Sequence, residues 1–247
     1  MRFLEPAANP GRPAGADGML LRSMGSVTNL AKFFGLAFSA LLPLINPLGS
    51  ALMFLGIVGN APGEVYLRLA RKIALSTTIF LAVVELVGTA LLAFFGISLP
   101  VVQVAGGLVL ATMGWSLLNQ QEAQTSRDKT AAAQSVYGSL DQQVFYPLTF
   151  PVTAGPGCIV ITLTLSAHAS THDVFANVMS HLGIFLAIVA LSFTVFLCYG
   201  YAPKIASRVP AQTAHGILRV IAFVLLCIGV QITWNGVEAL IKTAMHP

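Results

Sequence analysis

The sequence predicts an all-α integral membrane protein: six transmembrane helices forming two inverted three-helix repeats, with helices 1 and 4 discontinuous. Three observations carry this prediction. Of 247 residues, 56% are hydrophobic and only 9% are charged, whereas a soluble domain carries roughly a quarter charged residues. Six apolar runs are each long enough to cross a hydrocarbon core of about 30 Å, which takes about 20 helical residues. Proline and glycine then cluster in the middle of the first and fourth runs, at the opening of each half of the chain.

Residues 1–32 are rich in Pro and Gly and hold no apolar stretch of signal-peptide length, so they read as a flexible N-terminal tail. The first repeat, 33–118, contains runs at 33–58, 73–96 and 99–118. A Gln-rich polar linker, 119–143, separates it from the second repeat, 144–241, with runs at 144–167, 178–202 and 216–241. The runs are apolar on all sides and about twice the length of a barrel strand, so helices are expected. Because three spans is an odd number, the second repeat enters the membrane from the opposite side.

The 13 Lys and Arg against 9 Asp and Glu give a net charge of +4. These basic residues are scattered between apolar runs, which argues against nucleic acid and for a loop-charge bias. Arg68, Arg71, Lys72, Arg127, Lys129, Lys204 and Arg208 follow runs one, three and five, while the loops after runs two and four carry no Lys or Arg. Arg22, Lys32 and Lys242 stand on the other side. The bias places both termini outside. Cys158, Cys198 and Cys227 lie within apolar runs and read as small buried hydrophobes.

The clusters suggest the chemistry. In LLPLINPLGS, Pro43 and Pro47 lack the N–H that a helix needs, releasing the carbonyls of Ser39 and Pro43. YPLTFPVTAGPGC repeats the pattern, at a shift of 108 or 109 residues. A mid-membrane break exposes N–H groups at the start of one half-helix and C=O groups at the end of the other. The former suit a carboxylate and the latter an ammonium, so a small zwitterion fits both. The candidate substrate-binding residues are therefore Asn46, Pro47, Gly49, Thr153, Ala154, Gly155, Pro156 and Gly157.

Several other residues stand out. Glu85 is the only acidic residue near the centre of a run and is a candidate proton or cation site. Arg219, at the start of the last run, either snorkels to headgroups or serves as a gate or inter-helix contact. Gln103, Gln231 and Asn235 are expected to hydrogen-bond between helices, and Gly106, Gly107 and Gly114 to permit close helix contact. His168, His172 and Asp173 form a loop cluster too sparse for a metal site. No catalytic triad, phosphate-binding loop or cofactor motif is present, so neither an enzyme nor a cofactor is expected.

Over residues 33–240 the chain resembles the MarC family of integral membrane proteins, which includes SnatA-type neutral amino acid transporters. The resemblance rests on Asn46-Pro47-Leu48-Gly49, Ala154-Gly155-Pro156-Gly157, Phe95-Gly96-Ile97-Ser98-Leu99 with Ala105-Gly106-Gly107, and Arg219 with Val230-Gln231 and Asn235-Gly236. One departure is Ala222, where an Arg-x-x-Gly pattern would place glycine. The resemblance implies a bacterial inner-membrane secondary transporter of small neutral amino acids such as glycine and alanine, coupled to H⁺ or Na⁺. A homo-oligomer is compatible with it. The alternative reading is a channel, or an exporter of another small solute.

Overall fold

A computed structural model of the chain describes residues 16–59, 61–119, 142–170, 173–208 and 211–245. Side chains are described from residue 27 onward, except at 211–215 and 217. The described residues are helical, without strands. They form α1 (Ala16–Ile45), α2 (Pro47–Val58), α3 (Gly63–Phe94), α4 (Leu99–Asn119), an irregular segment Val144–Thr153, α5 (Pro156–Ala169), α6 (Val174–Gly200), α7 (Ala202–Arg208) and α8 (Ala211–Met245).

Five stretches are long and apolar enough to cross a membrane: Val27–Val58, Gly63–Phe94, Leu99–Asn119, Val174–Gly200 and Leu218–Met245. The segment Val144–Thr153 with α5, bent by 70°, brings the number to six if the bent pair is one span. Several boundaries differ from expectation. Helix α1 starts at Ala16, so residues 16–32 are helical where a flexible tail is expected. Helix α3 starts at Gly63, ten residues before the apolar run, because Glu64, Arg68, Arg71 and Lys72 continue the helix beyond it. Hydropathy marks what enters lipid, whereas backbone hydrogen bonding continues past it. Most of the linker, 120–141, lies outside the described residues.

The largest deviation concerns the first break. Pro43 lies inside α1 without ending it, and the interruption is a single residue, Asn46, at φ 43°, ψ 65°. The ladder resumes on both sides, with Asn46 N donating to Leu42 O and Ser50 N to Asn46 O, each at 2.9 Å. The first span is thus pinched, whereas the fourth is broken and bent.

Packing follows from residue size. Phe54 of α2 stacks on Tyr199 of α6 at 4.6 Å and meets the edge of Tyr66 of α3 at 5.6 Å. All three are buried and join α2, α3 and α6. Helices α4 and α8 run antiparallel in near-backbone contact. A Cβ at Gly107, Gly114, Gly229 or Gly236 would press on the backbone of the opposing helix, so glycine lets the two axes approach. Ala222 is fully buried and its carbonyl faces Gly114. The alanine is accommodated because the partner glycine supplies the space. Gly96, at φ 66°, ends α3, with Ile97 N donating to Leu92 O at 2.9 Å. This turn returns the chain as α4.

Candidate functional site

The 146–153 sequence is a tandem of two four-residue units, Tyr-Pro-Leu-Thr and Phe-Pro-Val-Thr. Both units fold alike: Tyr146 (φ −121°, ψ 124°) and Phe150 (φ −119°, ψ 126°) are extended, and each precedes a cis proline. Each threonine closes its wide turn by bonding five residues back. Thr149 Oγ1 donates to Val144 O at 2.8 Å and Thr153 Oγ1 to Leu148 O at 2.6 Å. The prolines release the carbonyls of Gln143 and Pro147; Gln143 O instead accepts from Leu148 N at 3.3 Å, while the hydroxyls give Val144 O and Leu148 O a partner within the segment.

The two interruptions converge. Asn46, Gly49 and Ser50 from the first, and Pro151, Val152, Gly155, Gly157 and Cys158 from the second, line one cavity of about 300 Å³, closed by Leu110, Met113 and Ser116 of α4 and Leu225 of α8. That volume is at the small end of ligand sites, which run from about 300 to 1,000 Å³. Among the described residues, no Asp, Glu, His, Lys or Arg lines it. Polar side chains come from Asn46, Ser50 and Ser116.

The two half-helix N-termini differ. Asn46 Oδ1 accepts from Gly49 N at 3.1 Å, so α2 is capped by its own side chain. Gly49 is needed because a Cβ there would overlap the Asn46 amide. Ser50 Oγ lies 2.7 Å from Asn46 O and 2.9 Å from Ile45 O and shares its proton between them. Helix α5 begins at Gly155 with no side-chain cap, and Pro156 supplies no N–H. Cys158 N turns back to Gly155 O at 3.0 Å, and the positive end of the α5 dipole lies beside the cavity at Gly155 and Gly157.

Of the eight expected binding residues, the cavity gathers Asn46, Gly49, Gly155 and Gly157. The others lie elsewhere. Pro47 is buried in the first turn of α2, and Pro156 starts α5 outside the lining. Ala154 is fully buried in the core. Thr153 is not among the residues that line the cavity. With its proton committed to Leu148 O, it accepts from the Tyr199 hydroxyl at 2.8 Å. Gly157 lines the cavity but already packs on Leu110, which a Cβ would overlap. Gly155 is more open, its nearest neighbour to a Cβ being Pro151 O at 3.3 Å.

Sequence reasoning missed Tyr199 and His181. Tyr199 bonds Thr153 of the second interruption through its hydroxyl, and its ring stacks on Phe54 of α2, which follows the first. A tyrosine inside an apolar run signals a polar partner. Glu85 is 1% exposed and is not alone: its Oε1 lies 2.5 Å from His181 Nδ1 on α6. Ser166 of α5 donates to the Glu85 carbonyl at 2.7 Å. This α3–α5–α6 junction is separate from the cavity lining.

The remaining candidates are placed as follows. Arg219 is exposed near the start of the apolar part of α8 and does not line the cavity. Gln103 Nε2 donates to Thr164 Oγ1 of α5 at 3.3 Å. In the loop cluster, Asp173 caps α6 through Phe175 N and Ala176 N. His168 Nδ1 meets Thr164 O at 2.6 Å. His172 lies outside the described residues, among which no metal-binding group of three occurs.

A bundle of apolar helices around a cavity that, among the described residues, has no charged side chain and lies between two interrupted spans defines a multi-pass integral membrane protein. The comparison with known proteins narrows this class. Residues 31–241 match the model of the MarC family of integral membrane proteins, and the chain belongs to that family. Relatives called inner membrane protein MarC include that of Salmonella typhimurium, 30% identical over 220 residues, covering 87% of this chain and 98% of the relative. That of Escherichia coli O157:H7 is 30% identical over 217 residues, and that of Citrobacter koseri 31% over 221, with the same coverage. No solved structure matches the chain.

Proposed function

We propose that this protein is a secondary transporter of small neutral amino acids, of the glycine and alanine type, working by alternating access around the cavity between the two interrupted spans. The observation that carries the reading is the convergence of both interruptions on one small cavity that, among the described residues, has no charged side chain. An uncapped α5 N-terminus offers a seat for a carboxylate. The carbonyl end of α1 at Leu44, which also lines the cavity, is the reading's seat for an ammonium. The cavity size favours a short side chain.

An inverted relation between 33–118 and 144–241 is supported by which helices pair. Equivalent helices meet antiparallel: α4 packs along α8, and α3 along α6 with Gly200 against Leu67 and Glu85 against His181. Such pairing is what a two-fold axis in the membrane plane produces. Glu85 with His181 is the reading's site for H⁺ or Na⁺ coupling, since an intramembrane acid–base pair can change charge with the transport cycle. Both termini are assigned to the periplasmic side from the loop charges.

The test is uptake of radiolabelled glycine and alanine into proteoliposomes, together with counterflow against unlabelled substrate. Accelerated counterflow supports a carrier. Flux without counterflow points to a channel, and no flux of either amino acid removes the substrate assignment.

A further inference from the structure

Helix α8 presents one face to its neighbours and leaves the opposite face uncovered. Leu225, Ile228 and Ile232 turn inward, toward the cavity and α4. Opposite them, Val220, Val224, Cys227, Gln231, Trp234 and Glu238 follow one another at alternating spacings of four and three residues. All six are exposed. That alternation is the a/d seam of a left-handed coiled coil.

The seam is not merely apolar. Gln231 lies at the middle of the lipid-crossing stretch Leu218–Met245. Its Nε2 donates to Asn235 Oδ1 at 2.8 Å. Among the described residues neither side chain makes another hydrogen bond, so Gln231 Oε1 and the Asn235 NH₂ still need partners. Hydrocarbon offers none, and carboxamides exposed at this depth favour a protein neighbour.

We propose that this face of α8 is the interface of a homodimer. The occupant is a second copy because the stripe complements itself. Two copies inserted in the same sense are related by an axis along the membrane normal, which brings equal residues to equal depth. A carboxamide both donates and accepts, so Gln231 can bond reciprocally to its own copy. One amide at an a position also fixes register and strand number. At the end of the seam Glu238 already holds Lys242 at 2.6 Å, so both charge signs are present there. Cys227, one turn from Gln231 on the same stripe, meets its copy across the axis.

The experiment uses the full-length protein in phosphatidylethanolamine–phosphatidylglycerol vesicles. Copper-phenanthroline oxidation yields a thiol-reversible covalent dimer that disappears in Cys227→Ser, although Cys158 and Cys198 remain. Single-molecule photobleaching at high lipid dilution shows two steps for the wild type and at least a tenfold smaller two-step population for Gln231→Leu/Asn235→Leu. Circular dichroism confirms that the variant stays helical, and the Cys227 cross-link in the wild type decides should it not fold. One-step bleaching of the wild type overturns the proposal. So does a cross-link that persists in Cys227→Ser, a folded double variant that dimerises undiminished, or an unrelated polypeptide occupying the face in place of the second copy.

Discussion

Asn46 holds the first span together by two separable effects, and replacing it tests both. Its backbone is left-handed, at φ 43° and ψ 65°, a conformation that costs an ordinary L-residue about 1 kcal/mol or more and glycine almost nothing. Its side chain caps α2 through Gly49 N at 3.1 Å, a role whose loss to alanine costs about 1 kcal/mol and to glycine only a few tenths. Asn46→Ala loses both, giving about 2 kcal/mol of destabilisation, whereas Asn46→Gly stays below about 1 kcal/mol. A Cβ on Gly49 would displace the Asn46 amide, so Gly49→Ala also removes the cap. It recovers about 1 kcal/mol of helix propensity in return. In the double variant the cap is lost only once, so it is about 1 kcal/mol more stable than the sum of its parts. The assay is SDS-titration unfolding in mixed micelles for all four variants. Equal losses for alanine and glycine at position 46, or strict additivity with Gly49→Ala, would refute the reasoning.

Other outcomes follow from the same geometry. Gly229→Val drives a side chain into the backbone of Ala111, and the cost of overpacking, about 1–3 kcal/mol or more, is read as loss of monodisperse protein in size-exclusion chromatography. Tyr199→Phe and Thr153→Val each break the 2.8 Å hydroxyl contact and cost about 1–2 kcal/mol in thermal unfolding. Together they cost less than their sum, because one contact is lost twice. His181→Ala leaves Glu85 buried without its partner and costs about 3–5 kcal/mol, whereas Glu85→Leu/His181→Leu recovers most of that loss. Unfolding of the single and double variants distinguishes a pair from two independent residues.

Five of the expected spans, and a bent pair that makes the sixth if it is one span, were legible because lipid imposes a length and a polarity that apolar runs record directly. Helix ends were less so, as α3 shows by continuing through Arg68 to Lys72. The fourth span's interruption was visible in Pro147, Pro151, Gly155 and Pro156, since proline must leave carbonyls unpaired. The first was over-read: Pro43 is absorbed within α1 and only Asn46 leaves the helix, because Asn46 and Ser50 satisfy the local backbone themselves. His181 and Tyr199 were missed for a different reason. Their partners lie 96 and 46 residues away, and a single polar side chain in an apolar run does not announce which distant element it meets. Thr153 looked like a cavity residue from its position beside Gly155, but side-chain direction depends on the wide-turn geometry that only coordinates reveal.

Filling the cavity without unfolding the protein tests most directly whether it holds the solute. Gly155 is extended, at φ −76° and ψ 179°, a conformation that valine adopts readily before proline. The open side of a Cβ there leads toward Met113 on the cavity wall. Gly155→Val should reconstitute as folded protein, with counterflow of labelled alanine reduced at least tenfold. Wild-type counterflow in folded Gly155→Val would contradict a binding site between the two interrupted spans.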